Sequence, residues 1–588
     1  MYFEHRTPNY EKFPIIRVEG HDRESWGSYQ DFAEELKRRI KQLGKRKQVL
    51  VADFYHGVRH GEVLSQLLSP LGAKETILCE SAKLAETEIS QKLKRNITDD
   101  RVFGVLSTHK IEEFYDAEKL KELRKRVDAV EEGLVVVYGI GASLVTKGDL
   151  LVYADMPRWE IQQRFRSHEL DNWGVGNFQE DTLRKYKRAF FIEWRVLDRH
   201  KRSLYQDMDY VLDTTAKGCG KAITGEAFRN GIEQAARKPF RLMPYFDEGV
   251  WGGRWMEEVC DLAHGENNMA WCFDGVPEEN SVLLRVGDVT AEVPSINIVF
   301  MRPDELLGPK VHARFGLEFP IRFDFLDTMG GGNLSLQVHP LTEYIQENFG
   351  MHYTQDESYY ILDAGPDACA YLGLKDGVVP EELIGDLKNA QGRGETFDDS
   401  KYINKFPIKK HDHVLIPAGT IHCSGKNAMV LEISATPYIF TFKLWDWGRV
   451  GLDGIPRPVH VDHGSRVIQY NRTTEWVETN LLHREKEVAQ GDGWREEQTG
   501  LHELEFIETR RHWFTKPVTH NTNGSVNVLN LIEGEEALVE SPTCAFEPYV
   551  VHYAETFIVP AAVGTYTIRP YGKSEGKEIA TIKASVRI

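Results

Sequence analysis

Gln337, His339, Glu357 and His422 lie on three separate strand-like runs, and any fold that uses them together must close those strands around one point. Gln337 and His339 stand two apart in Asn333-Leu-Ser-Leu-Gln-Val-His-Pro340, so strand geometry sends both side chains to one face. Glu357 heads the apolar run Ser358-Tyr-Tyr-Ile-Leu362, and His422 ends Ile416-Pro-Ala-Gly-Thr-Ile-His422, where Pro and Gly mark a turn before another strand. Two imidazoles, a carboxylate and an amide oxygen suit Zn²⁺ or a neighbouring transition ion, whereas Ca²⁺ and Mg²⁺ prefer all-oxygen shells. A His on a strand is more often a core residue than a ligand, and 21 His make chance spacings common. The surrounding segments therefore decide.

Leu334-Ser-Leu-Gln-Val-His-Pro340, Asp356-Glu-Ser-Tyr-Tyr-Ile-Leu362 and Ile416-Pro-Ala-Gly-Thr-Ile-His422 resemble, in order, the metal-bearing segments of type I mannose-6-phosphate isomerases, which are zinc cupins. Pro244-Tyr-Phe-Asp-Glu-Gly-Val-Trp-Gly-Gly253 and Pro277-Glu-Glu-Asn-Ser281 look like that family's opening segments, and Glu555-Thr-Phe-Ile-Val-Pro-Ala-Ala-Val-Gly-Thr-Tyr566 like its closing strands. The resemblance covers about residues 241–588. It implies a metal-binding cupin at 241–475 with a helical insertion near 373–405, and a second cupin-like β domain at 476–588. It also implies Zn²⁺, or a similar divalent ion, on Gln337, His339, Glu357 and His422, and a sugar-phosphate substrate.

Phe440-Thr-Phe-Lys-Leu-Trp-Asp-Trp-Gly-Arg449 is similar to the family's segment around its catalytic Arg, which puts Lys443 at that position and Arg449 at the second cationic one. Lys keeps the charge but loses the planar fork that suits phosphate or an enediolate. Asp324 stands where the family usually has a Lys, and Tyr353-Thr-Gln-Asp356 replaces a short basic run. Arg322 is a candidate replacement cation. The implied activity is metal-dependent interconversion of mannose 6-phosphate and fructose 6-phosphate, with Lys443 and Arg449 as catalytic residues. The alternative is a metal-containing protein that binds a sugar phosphate or nucleotide for regulation.

Residues 1–240 read differently. Helical periodicity at 29–43, 83–94 and 119–130 alternates with apolar runs at 48–52, 134–138 and 150–154, a pattern that predicts a parallel α/β sheet. Gly133–Ala142, Asp149–Glu160 and Gln162–Arg166 resemble the later strands and lid helix of uridine-kinase-like P-loop kinases. The phosphate loop of such a kinase would fall at Phe54-Tyr-His-Gly-Val-Arg-His-Gly-Glu-Val63, where His56 replaces the first Gly, Glu62 the Lys and Val63 the hydroxyl residue. A phosphate would meet a carboxylate there, so this is a degenerate P-loop. Gly139-Ile-Gly-Ala142 lacks the third Gly of a dinucleotide fingerprint and predicts a tight turn. The basic stretch Ala236–Pro244 reads as the linker between the halves.

A chain of 588 residues that is 41% hydrophobic forms several domains with sizeable cores. Seven Cys without a C-x-x-C pair do not form a disulfide framework, and Cys423, adjacent to His422 and so on the opposite face, is expected to pack. The N-terminus lacks a signal-peptide pattern and no apolar run approaches membrane-span length, so the expected location is the cytoplasm. A net charge of −18 argues against a nucleic-acid partner.

Overall fold

A computed structural model describes residues 7–393, 396–435, 439–500 and 502–588. Residues 394 and 395 of the expected insertion, and the first six residues used in the leader argument, lie outside it. Two compact units emerge, one of Met1–Pro14, Ala236–Pro277 and Arg302–Ile588, the other of Ile15–Ala235 and Glu278–Met301.

The unit built on Ile15–Ala235 holds a seven-stranded sheet in the order Ser25–Trp26, Lys221–Thr224, Tyr210–Asp213, Leu150–Asp155, Lys47–Phe54, Gly133–Gly139, Glu75–Leu78. The last five are mutually parallel, and Lys221–Thr224 runs antiparallel to both of its neighbours, Tyr210–Asp213 and Ser25–Trp26. Lys47–Phe54 and Gly133–Gly139 are central because their apolar runs are unbroken, as burial on both faces demands. The helix Tyr29–Gln42 begins at Ser28, whose side chain accepts from Asp31 N, and its last turn carries Arg39 and Lys41 against the dipole. From the central strand the chain runs to the edge strand Glu75–Leu78, returns to Gly133–Gly139 and then crosses to Leu150–Asp155. That reversal beside Lys47–Phe54 is where an open α/β sheet forms its crevice.

The other unit is antiparallel throughout. A six-stranded sheet, His413–Ile416, Glu357–Ala364, Ala428–Ala435, Ile321–Asp327, Met269–Gly275, Tyr245–Gly253, accompanies a five-stranded one, Ile403–Pro407, Cys369–Leu374, His422–Ser424, Leu336–Val338, Phe442–Trp445. The helix Pro380–Arg393 fills the excursion between the adjacent strands Cys369–Leu374 and Ile403–Pro407. Farther along, six- and four-stranded sheets share one apolar core, with Phe514, Leu531 and Ile579 from the first against Val518, Val539 and Ile568 from the second. Among the described residues no helix is long and apolar enough to cross a membrane.

The units do not divide at residue 240. Residues before Ile15 join the antiparallel unit, where Tyr10 donates to Asp274 (3.2 Å), the Glu11 amide to Glu555 (2.6 Å), and Arg241 to the Glu11 carbonyl (2.9 Å). Glu278–Met301 joins the α/β unit, where Ser281–Val286 pairs in parallel with Ile15–Arg17. The stretch expected as a linker is also buried: Phe240 exchanges backbone hydrogen bonds with Ile558 (3.0 and 2.8 Å), and Arg241 pairs with Glu555 at 2.7 Å. A basic, Pro-bearing composition gave no sign that its arginine meets a buried carboxylate.

Candidate metal centre

The five-stranded sheet places its donors by register. Gln337 is paired with His422 on one side and with Lys443 on the other, so the three stand in a row across three strands. Glu357 arrives from the first residue of its strand in the six-stranded sheet, and His339 lies one residue beyond the strand Leu336–Val338. One ligand atom each from His339, Glu357 and His422 lies within 4.8 Å of the others, and all three residues are buried. His339 Nε2 is 3.0 Å from one Glu357 oxygen and His422 Nε2 is 2.6 Å from the other. The amide of Gln337 is 3.2 Å from His422 Nε2.

The outer ring nitrogens decide what the inner ones carry. His339 Nδ1 donates to the Phe440 carbonyl at 3.2 Å, and His422 Nδ1 to the Thr420 carbonyl at 2.8 Å. A carbonyl only accepts, so each Nδ1 holds the proton of the neutral ring and each Nε2 presents a lone pair to a carboxylate. Lone pairs facing at these distances need a cation between them, either a proton or a metal ion. A buried His₂-carboxylate set with an amide nearby therefore fits a divalent transition metal. Burial alone would raise the Glu357 carboxyl, but where a proton is that cation the two charged rings hold it well below the usual carboxylate range.

A second layer lies behind Glu357. Gln355 donates to Glu357 (3.0 Å) and to Glu432 (3.2 Å), fixing the carboxylate in place. Arg322 reaches Asp324 at 3.0 Å and Glu432 at 3.2 Å, so its charge is spent inside this layer. Burial raises Asp324 to about 6 against the pull of Arg322, and burial with Asp324 and Glu357 nearby takes Glu432 well above its ordinary value.

Lys443 is half-buried, and burial, with Arg457 beside it, pushes its ammonium down to about 7. Arg449 is held within the chain, Nη2 on Asp446 at 2.6 Å and Nη1 on the Asn333 carbonyl at 2.7 Å. Cys423 is fully buried in the core. Sequence reasoning missed Gln355, although its place two before Glu357 puts both on one strand face. It also missed Arg457, for which no local signal existed.

In the α/β unit the loop groups that would cradle a phosphate are already engaged. The Gly141 and Ser143 amides each donate to Asp53 (2.9 Å), and the Ile140 amide to Glu80 (3.1 Å). Glu62 accepts from Tyr29 at 2.9 Å, and His60 contacts Glu80 at 2.7 Å.

Comparison with known proteins places these features. A family profile described as a domain of unknown function, DUF8485, matches residues 28–237. The chain is 26% identical over 232 residues to the probable mannose-6-phosphate isomerase GmuF of Bacillus subtilis (strain 168), covering 39% of this chain and 68% of that one. It is 22% identical over 343 residues to the mannose-6-phosphate isomerase ManA of the same organism, covering 58% of this chain and 95% of that one. The crystal structure of the mannose 6-phosphate isomerase from Bacillus subtilis aligns at a TM-score of 0.47 and 19% identity, covering 59% of this chain and 99% of that one. Over 39% to 58% of its length, at low identity, this chain is homologous to mannose-6-phosphate isomerases.

Proposed function

We propose that the chain is a divalent-metal-dependent aldose–ketose isomerase that interconverts mannose 6-phosphate and fructose 6-phosphate. Its antiparallel unit is then a double cupin whose first barrel holds Zn²⁺ on Gln337, His339, Glu357 and His422. The observation that carries this is the buried His339–Glu357–His422 set, in which two imidazole lone pairs face one carboxylate. Homology to mannose-6-phosphate isomerases supports the reaction class.

A bound divalent ion would supply the charge that polarises and aligns neighbouring substrate oxygens. The chain's own contribution begins with Lys443, which register sets beside Gln337, where an ammonium steadies the negative charge that develops as a proton moves between adjacent sugar carbons. Gln355 keeps Glu357 from turning away. Arg449, hydrogen-bonded to Asp446, is the second cation of the same arm.

A different reading, a metal-containing binding or regulatory protein, draws on Asp324, an acid at the floor of the site, and on the occupied loops of the α/β unit, which we read as a degenerate P-loop-kinase fold. The two separate in one experiment. Purified chain loaded with Zn²⁺ is offered hexose phosphates and free hexoses, with and without chelator. Turnover of a hexose phosphate that chelator abolishes is expected, and absence of turnover on every sugar would favour the binding protein.

A further inference from the structure

Beyond the strand Phe442–Trp445 the chain turns out and comes back. Val450 and Pro456 face each other as an antiparallel bridge, and the Gly451 amide donates to the Ile455 carbonyl at 2.8 Å. That register sets Arg449 opposite Arg457 at the base of the hairpin. The returning arm then runs along the strand, with the His460 amide donating to the Lys443 carbonyl at 2.7 Å. Arg449 and Arg457 thus share one carboxylate, Asp446, and Lys443 stands on the same arm.

Their engagement is unequal. Arg449 spends all three of its nitrogens, Nε on the Asp446 carbonyl (3.2 Å), Nη1 on the Asn333 carbonyl (2.7 Å) and Nη2 on Asp446 Oδ1 (2.6 Å). The same Asp446 oxygen also accepts from Ser335 at 2.8 Å. Among the described residues Arg457 makes one hydrogen bond, Nη1 on that crowded oxygen at 3.3 Å. Lys443 makes no side-chain hydrogen bond among the described residues. Among the described residues, Asp446 is the carboxylate that pairs with Arg457. Two half-buried cations on one arm with a fraction of one counter-charge are costly, because the solvation given up is not replaced. A planar guanidinium with donors still unspent is what a phosphate monoester takes.

We infer that Arg457 receives the anionic phosphate group of the substrate, while Arg449 positions the hairpin that presents it. This rests on the isomerase reading for the sugar, but not for the anion. It moves phosphate recognition from the arginine that aligns with the family motif to one that the motif does not mark.

Isothermal titration of the full Zn²⁺-loaded chain with inorganic phosphate and with mannose 6-phosphate tests it. Wild-type chain should bind both, and Arg457→Gln should weaken both by about 30-fold or more, as for removal of one partner of a buried charge pair. Arg457→Lys should recover part of the loss. Metal content and thermal midpoint of each variant report whether the fold is kept. For any variant that loses the fold, the same comparison is made with Arg457→Lys, which keeps the charge. If free mannose is turned over, its KM should be unaffected in Arg457→Gln, because no phosphate is present. Binding of mannose 6-phosphate without inorganic phosphate would assign the site to substrate alone, and the Arg457→Gln loss would still be required. Unchanged binding in Arg457→Gln, a larger loss in Arg449→Gln, or a wild-type chain indifferent to both anions would overturn the assignment. A chain that binds phosphate through Arg457 yet isomerises nothing would sink the isomerase reading and leave this one standing.

Discussion

His339 and His422 show how much one hydrogen bond decides. Because each Nδ1 is tied to a backbone carbonyl, each ring can offer only Nε2, and both Nε2 atoms turn to Glu357. His339→Ala removes one of the lone pairs and should take away most of the zinc measured by elemental analysis; retention of full metal would exclude His339 as a ligand. Lys443→Ala should lower kcat on a hexose phosphate by about 10²-fold with a smaller change in KM, since the ammonium is assigned to charge that forms only in the transition state. Turnover like that of the wild type would remove Lys443 from the mechanism. The convergence of His339, Glu357 and His422 was legible because each sits in a short run with turn residues nearby. Arg457 was not, because its role depends on a hairpin register and on what Arg449 has already spent.

At the scale of elements, the long apolar runs 48–52, 134–138 and 150–154 correspond to the strands Lys47–Phe54, Gly133–Gly139 and Leu150–Asp155, and the periodic stretch 119–130 to the helix Ala117–Ala129. Glu75–Leu78 and Tyr210–Asp213 escaped notice, since four residues carry too little pattern to be told from a loop. The stretch 83–94, read as one helix, opens on a β-bridge from Lys83 to Tyr115 and holds a helix confined to Glu86–Lys92. The loop after Lys47–Phe54 yields a prediction of its own. With Glu62 bonded to Tyr29, His60 to Glu80 and Arg59 to Glu169, calorimetry with Mg·ATP should register no binding. Micromolar binding seated at residues 56–63 would show this loop to be a working phosphate cradle. In the antiparallel unit, Gly253 is packed so that an added Cβ would meet Asp327 Oδ1 at 2.1 Å and the Met329 amide at 2.5 Å. Gly253→Ala should therefore lower stability by about 2 kcal/mol or more, read as a fall in the denaturation midpoint. An unchanged midpoint would mean that the strand end yields more readily than its hydrogen bonds suggest.

For the whole molecule, α/β alternation and strand-rich sequence announced two kinds of architecture, but not how the chain is shared between them. Composition varies smoothly across residues 278–301, and nothing local says that this piece pairs with Ile15–Arg17. The chain passes from one unit to the other at 14/15, 235/236, 277/278 and 301/302, four times in all. A fragment spanning 241–588 would lack the Tyr10–Glu11 segment that covers Arg241, Asp274 and Glu555, and would carry Ser281–Val286 without its first neighbour. Such a fragment should be poorly soluble, or melt well below the full chain, in scanning calorimetry. A soluble fragment with the full chain's midpoint would show the lacing to be dispensable. The lacing also bears on ancestry. Placing one gene behind another yields two beads and a single joint, whereas here the stretches of sequence that build the two parts alternate along the chain. Once they alternate, neither part can be exchanged by recombination at one point, and the two are inherited as one.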